Sequence, residues 1–145
     1  MLRNKRNKEE KRTFLITQPE KKTSKIDFKE VYRHIRTSIE YSTVGKDVKA
    51  INVTSSIPGE SKSTTSINLG LIYATKYSNV LLIDCDLRKS TIHRYLNLSN
   101  SRGLTNALME YGDSHTISSK CFQFVEDPSF VGKLSVLTSG VKVPN

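Results

Sequence analysis

The order of apolar and turn-forming segments between residues 49 and 84 constrains the fold more than any other feature of the chain. "KAINVTSS" (49–56) is short and contains β-branched residues, which predicts a buried strand. "NVLLID" (79–84) is a continuous apolar run, typical of a parallel strand covered on both faces. The intervening "KSTTSINLGLIYATKYS" (62–78) has a helical apolar face formed by Ile67, Leu71, Ile72 and Ala74. About 30 residues from strand to strand is the usual length of a right-handed βαβ unit, so the chain is predicted to be an α/β protein.

Three more segments complete the expected architecture. "DFKEVYRHIRTSIEYS" (27–42) predicts a helix with Asp27 as N-cap, followed by a turn at Gly45. Its apolar residues recur at three- and four-residue steps: Phe28, Val31, Ile35 and Ile39. "GLTNALMEY" (103–111) predicts another helix, and "KLSVLTSG" (133–140) predicts a third strand. A chain of 145 residues can form one domain with a substantial core.

The segment before the second predicted helix resembles a phosphate-binding loop. Such loops follow G-x-x-x-x-G-K-[ST], where backbone N–H groups and a helix N-terminus face a phosphate and the lysine adds positive charge. In "SIPGESKST" (56–64) Lys62 and Ser63 are in place, whereas Ser56 and Ser61 replace the two glycines. A Cβ at Ser61, directly before the lysine, is expected to strain the loop by about 1 kcal/mol. The residues expected to contact a nucleotide are Pro58, Gly59, Glu60, Ser61, Lys62, Ser63 and Thr64. Taken alone, the loop fits equally well a Ser/Thr-rich turn that opens a helix.

Two aspartates and an arginine follow the predicted strand 79–84. Because ligands in open α/β sheets bind beyond the carboxyl ends of the strands, we expect Asp84 and Asp86 to face the loop. One carboxylate can hold Mg²⁺ together with the Ser63 hydroxyl, and the other can accept a proton from an attacking hydroxyl. Arg88 is expected near the phosphates or in an ion pair. The alternative is that D-x-D-x-R only caps the following helix.

Together, "PGESKSTTSINLG", "VLLIDCDLRKS" and "EVYRHIRTSIEYS" resemble the bacterial protein-tyrosine kinases of capsular and exopolysaccharide synthesis. The resemblance runs from about Phe14 to the last residue. It implies a P-loop sheet flanked by helices and an ATP- and Mg²⁺-dependent autokinase, with Lys62, Asp84, Asp86 and Arg88 as catalytic residues. Ser63, Asp84 and Asp86 become the metal ligands. The family's E-x-x-R-x-x-R motif falls on Glu30, Arg33 and Arg36, which the resemblance places between subunits of a ring; from the residues alone, an exposed face with i,i+3 ion pairs is the simpler interpretation.

The resemblance also implies partners and an incomplete domain. Expected partners are a membrane-bound polysaccharide co-polymerase that activates the kinase, other copies of the chain, and a phosphotyrosine phosphatase. The family's third motif, an apolar strand ending in Asp, is absent, and the six tyrosines do not form a cluster at the C-terminus. We therefore expect a basic flexible arm (1–26) and a truncated kinase domain (27–145), made of an oligomerisation helix (27–44) and a nucleotide-binding core (49–145). We do not expect the chain to have kinase activity alone.

Composition limits the other function classes. Of the net charge of +9, +6 lies in residues 1–26, which carry nine lysines and arginines against three glutamates. Phe14 is the single aromatic residue among these charges, which is too few for a base-stacking surface, so no specific nucleic acid is expected. Cys85 and Cys121 show neither metal-ligand nor redox spacing, and no apolar run reaches the length of a membrane span. A cytoplasmic protein that reaches the inner face of the membrane through a partner is expected.

Two alternatives remain open at this stage. A partitioning ATPase of the ParA and MinD kind would share the fold, but these proteins carry a lysine five positions before the one that matches Lys62, where this chain has Ile57. A non-catalytic kinase remnant that binds partners would explain Ser61 and the missing motifs. Nucleotide binding would distinguish the remnant from an enzyme.

Overall fold

The computed structural model describes residues 27–46 and 48–142. Its helices are α1 (Phe28–Ser42), α2 (Lys62–Ala74), the short α3 (Ile92–Tyr95) and α4 (Leu104–Ser114), with a 3₁₀ turn at Ser119–Cys121. Its strands are β1 (Asn79–Ile83), β2 (Gln123–Val125) and β3 (Lys133–Leu137). The expected arm, residues 1–26, lies outside the described residues. Within the described ranges, no helix is both long and apolar enough to cross a membrane.

The predicted helices form because their sequences carry local start signals and apolar periodicity. The Asp27 carboxylate accepts hydrogen bonds from the backbone N–H groups of Lys29 (3.0 Å) and Glu30 (3.3 Å), so it caps α1 as predicted. The predicted helix at 62–78 is confirmed as α2, which ends earlier, at Ala74. The predicted helix at 103–111 is confirmed as α4, which continues to Ser114.

The sheet has the order β1–β3–β2. β1 and β3 are parallel, with Asn79 opposite Lys133 and Ile83 opposite Leu137. β2 is an antiparallel edge strand that the sequence pattern did not indicate. The parallel crossover in this structure therefore runs from β1 through α4 to β3.

The predicted strand at 49–56 is wrong. These residues form no ladder with any described strand, and Ile51 is 45% exposed. β-branched residues favour an extended backbone, but a segment becomes a strand only where a neighbouring strand supplies hydrogen-bond partners. The βαβ unit expected over 49–84 consequently lacks its first strand, and the loop before α2 follows a segment that lies outside the described sheet.

The main core lies between α2 and one face of the sheet. Its buried residues are Ile67, Ala74, Leu82, Ile92, Leu134 and Val136. The opposite face is only partly covered, because α4 packs against its end at Leu137. Leu81 and Phe124 on that face remain 48% and 51% exposed. This face of the described sheet therefore presents apolar surface to solvent.

Candidate nucleotide site

The turn that precedes α2 has the shape of a phosphate loop. Gly59 has φ +85° and Ser61 has φ +58°, both in the left-handed region. Ser56, by contrast, is not among the residues of positive φ. The strain predicted at Ser61 is therefore confirmed as a backbone conformation that L-residues other than glycine adopt at a cost, whereas the backbone at Ser56 does not require glycine.

The N-terminus of α2 is open towards this loop. The first helical hydrogen bond runs from the Thr65 N–H to the Ser61 carbonyl (2.9 Å), and the Ser61 side chain caps no N–H group. The N–H groups of Lys62, Ser63 and Thr64 thus point out of the helix end, where the helix dipole favours an anion. The predicted contact residues Pro58, Gly59 and Glu60 are exposed along the same turn. This arrangement can bind a phosphate through the backbone.

The Lys62 ammonium group lies across the entrance of the loop. Its Nζ donates to the Ser55 hydroxyl (2.8 Å), and the Ser55 hydroxyl donates to the Ile57 carbonyl (2.9 Å). Because the Ser55 hydroxyl that accepts this hydrogen bond is neutral, the positive charge of Lys62 is available to an anion that enters the loop. A phosphate would compete with a single hydrogen bond to a neutral hydroxyl, which contributes about 1 kcal/mol net.

One short segment joins the loop to the end of β1. The Thr91 hydroxyl donates to the Ser63 Oγ (2.9 Å), and the next residue, Ile92, donates its N–H to the Asp84 Oδ2 (3.3 Å). Residues 91 and 92 therefore hold the predicted metal ligands Ser63 and Asp84 next to the same peptide. Sequence reasoning missed Thr91, although a threonine directly before an apolar helical residue is a typical N-cap signal.

Asp84 is buried and Asp86 is not. Asp84 is 3% exposed, and its Oδ1 accepts the Asp86 N–H (3.1 Å). Burial raises the pKa of the Asp84 carboxyl, and the nearby Asp86 charge acts in the same direction, although backbone N–H groups partly oppose the change. A cation beside Asp84 would remove much of this cost of ionisation.

Asp86 and Arg88 form a local turn at the surface. The Asp86 Oδ1 accepts hydrogen bonds from the N–H groups of Arg88 (3.2 Å) and Lys89 (2.8 Å). Asp86 therefore closes a turn that precedes α3, whereas the first N–H group of that helix, at Ile92, is bound by Asp84; the alternative that the pattern caps the following helix holds only for Asp84. The Arg88 side chain is exposed, and none of the ion pairs within the described residues includes it.

The donor set fits a magnesium ion held partly by a nucleotide. Among the described residues there is no cluster of three or more His, Cys, Asp or Glu side chains. Magnesium in phosphoryl-transfer sites commonly keeps several waters and takes one or two protein oxygens together with substrate phosphates. The Ser63 hydroxyl and the Asp84 carboxylate supply hard oxygen ligands of this kind beside the open helix end.

The three motif residues on α1 have different surroundings. Arg33 forms an i,i+3 ion pair with Glu30 (3.1 Å), and both side chains are about half exposed. Arg36 points inward: its side chain is 15% exposed, and its Nη1 donates to the Ile72 carbonyl (3.0 Å) near the end of α2. Within one chain, therefore, Glu30 and Arg33 are accessible to another subunit, whereas Arg36 holds α1 against α2.

Comparison with curated proteins identifies tyrosine kinases as relatives. The chain is 38% identical over 143 residues to tyrosine-protein kinase YwqD of Bacillus subtilis, a match that covers 99% of this chain and 55% of the relative. It is 33% identical over 119 residues to the putative tyrosine-protein kinase CapB of Staphylococcus aureus, covering 80% of this chain and 47% of the relative. The chain thus spans about half the length of these relatives. No protein-family model matches the sequence.

Solved structures agree with the sequence comparison. The kinase domain of the Escherichia coli tyrosine kinase ETK superposes with a TM-score of 0.65 at 27% identity, over 94% of this chain and 53% of that one. The chimerical protein CapA2B2 superposes with a TM-score of 0.63 at 32% identity, over 87% of this chain and 51% of that one. By sequence and fold, the chain is similar to bacterial tyrosine kinases, and it matches the N-terminal part of their kinase domain.

Proposed function

We propose that this chain is part of an ATP-dependent protein-tyrosine autokinase that regulates capsular or exopolysaccharide synthesis. The observation that carries the proposal is the connection of Ser63 and Asp84 through residues 91 and 92, beside the uncapped N-terminus of α2. This connection sets two hard oxygen ligands next to an anion site. The kinase names of the relatives supply the reaction class.

Each part of the site has a role in phosphoryl transfer. The N–H groups of residues 62–64 bind the β- and γ-phosphates of ATP, and the Lys62 ammonium leaves Ser55 to stabilise charge on the transferred group. Ser63 and Asp84 would hold Mg²⁺, which would supply positive charge to neutralise the charge that develops on the phosphates. Asp86 lies at the exposed edge, where it can accept the proton of an incoming tyrosine hydroxyl once its turn with Arg88 and Lys89 opens.

We propose further that α1 joins copies of the chain into a ring. Every residue of α1 is at least partly accessible, and Val31 and Ile35 of its apolar stripe are 41% and 37% exposed. An amphipathic helix with an exposed apolar stripe, next to the Glu30–Arg33 pair, is suited to a second subunit. A Glu30→Ala, Arg33→Ala double variant should shift the assembly to monomers in sedimentation velocity; an unchanged distribution would refute this role of α1.

The remaining assignments follow the motif resemblance. They are a membrane-bound polysaccharide co-polymerase as activator, activity at the cytoplasmic face of the membrane through that partner, and a phosphotyrosine phosphatase as the opposing enzyme. We expect an activator to bind the sheet face beside Leu81 and Phe124, because these two apolar residues are about half exposed.

Two measurements test the enzyme proposal. Mg-ADP titration of the chain should show binding that Lys62→Met weakens by at least tenfold, since the variant keeps the length of the side chain and loses its charge. Phosphotyrosine formation with Mg-ATP and an activator peptide should likewise depend on Lys62. No binding at millimolar Mg-ADP would favour a remnant that only binds partners, and equal phosphorylation of both proteins would refute the kinase assignment.

A further inference from the structure

Tyr77 occupies a position that the proposed nucleotide site does not explain. It lies just beyond the C-terminus of α2, where its ring stacks on Tyr73 with centroids 5.8 Å apart, and the residue is 42% exposed. Its hydroxyl donates to the Glu40 Oε1 of α1 (3.0 Å). All six tyrosines fall within the described residues, and among them Tyr77 alone donates its hydroxyl to a carboxylate.

The carboxylate that accepts this hydrogen bond is the centre of the contact between α1 and α2. The Glu40 Oε2 accepts from the Lys76 Nζ (2.7 Å), and the Arg36 Nε lies 3.7 Å from the Oε1 that also contacts Tyr77. Partial burial opposes ionisation of Glu40, but the hydrogen bonds from Lys76 and Tyr77 outweigh it and lower the pKa of this carboxyl. The Glu40 carboxylate thus contacts Arg36 of its own helix, and Lys76 and Tyr77 from the segment that follows α2.

We propose that Tyr77 is a phosphoacceptor and that its phosphorylation separates α1 from α2. This rests on the proposed tyrosine-kinase function and names an internal substrate for it. A phosphotyrosine carries about −1.5 to −2 charges at neutral pH. On Tyr77 that charge would sit beside the Glu40 carboxylate, which repels it, while Lys76 and Arg36 lie close enough to transfer their ion pairs to the phosphate.

Geometry makes the reaction intermolecular. Tyr77 and the phosphate loop lie at opposite ends of α2, whose 13 residues span about 20 Å. In the transfer, the Tyr77 Oη forms a bond to the γ-phosphorus of ATP bound by another subunit, and the bond between that phosphorus and the β,γ-bridging oxygen breaks. ADP leaves, and the phenolic proton passes to the Asp86 carboxylate of the subunit that holds the ATP and from there to water.

The consequence reaches the proposed ring. Arg36 belongs to the E-x-x-R-x-x-R motif of α1, and its Nη1 binds the Ile72 carbonyl of α2. If Arg36 turns to the phosphate, α1 loses this contact together with the Glu40–Lys76 ion pair. Phosphorylation of Tyr77 would therefore alter the orientation of the helix through which the subunits assemble.

The first experiment measures acceptor status without relying on the activity of this chain. The Lys62→Met variant is incubated with Mg-ATP and the active Bacillus subtilis relative, and phosphorylated tyrosines are mapped by mass spectrometry. We expect phosphate on Tyr77 and a loss of that phosphopeptide in a Lys62→Met, Tyr77→Phe variant. Phosphate on the donor enzyme but none on Tyr77 would overturn the proposal. If the chain with Lys62 intact shows no kinase activity of its own, that result would count against its proposed function and not against Tyr77 as an acceptor.

The second experiment measures the structural effect. Phosphotyrosine is installed at position 77 during synthesis, and amide hydrogen exchange is followed along α1. We expect exchange in α1 at least fivefold faster than in the unmodified chain. Phosphotyrosine at position 95, a residue of α3 that is 51% exposed, is the matched control and should leave α1 unchanged. Equal exchange in the two modified proteins would overturn the proposed switch.

Discussion

Replacement of Ser61 by glycine should stabilise the chain relative to the same replacement at Ser56. Ser61 has φ +58° and ψ +24°, and this left-handed conformation costs a residue with a Cβ about 1–2 kcal/mol, a cost that glycine does not incur. The Ser61 hydroxyl caps no N–H group of α2, so no capping bond is lost. Ser56 is not among the residues of positive φ, so Ser56→Gly relieves no strain.

Both substitutions add one glycine, which increases the entropy of the unfolded chain and thereby lowers the free energy of unfolding by a similar amount in each variant, about 0.4–1 kcal/mol. This term cancels when the two variants are compared, whereas the relief of strain does not. We therefore expect the free energy of unfolding of Ser61→Gly to exceed that of Ser56→Gly by about 1–2 kcal/mol. For a domain of about 100 residues, 1 kcal/mol corresponds to about 4–8 °C in Tm.

The assay is urea unfolding of both variants and the parent chain under identical conditions. The difference should appear as a shift of the midpoint with an unchanged slope, because the surface exposed on unfolding is the same. If the two variants agree within about 0.5 kcal/mol, the left-handed backbone at Ser61 carries no strain and the reasoning fails. A parallel Mg-ADP titration would show whether the relaxed loop also binds more tightly.

Other substitutions test the remaining contacts. A Cβ at Gly103 would lie 2.1 Å from the Thr138 carbonyl oxygen, so Gly103→Ala should lower the free energy of unfolding by about 2 kcal/mol or more. Gly112 lies in open space within α4, so Gly112→Ala should raise the free energy of unfolding by about 0.5–1 kcal/mol. Similar free energies of unfolding for the two variants would contradict the close contact at Gly103. Thr91→Val should weaken Mg-ADP binding more than Mg-free ADP binding, with Thr91→Ser near the parent in isothermal titration calorimetry; equal losses would exclude positioning of the metal ligand. Because the pKa of the Glu40 carboxyl is lowered in the folded chain, its ionisation stabilises the fold at pH values above the unfolded pKa, near 4.5, and this stability is lost as the pH falls through the folded pKa. Glu40→Gln should therefore make the free energy of unfolding, measured in urea, depend less on pH in this acidic range. An unchanged pH dependence would refute the stabilising role of the Glu40 carboxylate.

The sequence was informative where a feature depends on a few neighbouring residues. The Asp27 cap, the helices α1, α2 and α4, and the strain at Ser61 all follow from short-range patterns. A capping carboxylate needs only the N–H groups two or three residues ahead, and an apolar helical face repeats every three or four residues. These features could be predicted because the atoms involved are held together by the local backbone itself.

Tertiary structure decided what depends on partners distant in sequence. Residues 49–56 have the composition of a strand but pair with no strand in the part of the chain that the structure describes, and Arg36 turns to a carbonyl 36 positions away. Thr91 joins Ser63 to the end of β1 across 28 positions, a contact that no pattern around either residue indicates. The sequence alone was thus sufficient to locate the candidate phosphate loop and the aspartates that follow β1. Packing of α2 and α3 on the sheet decided which aspartate is buried beside that loop, because burial and long-range hydrogen bonds exist only once separate segments meet.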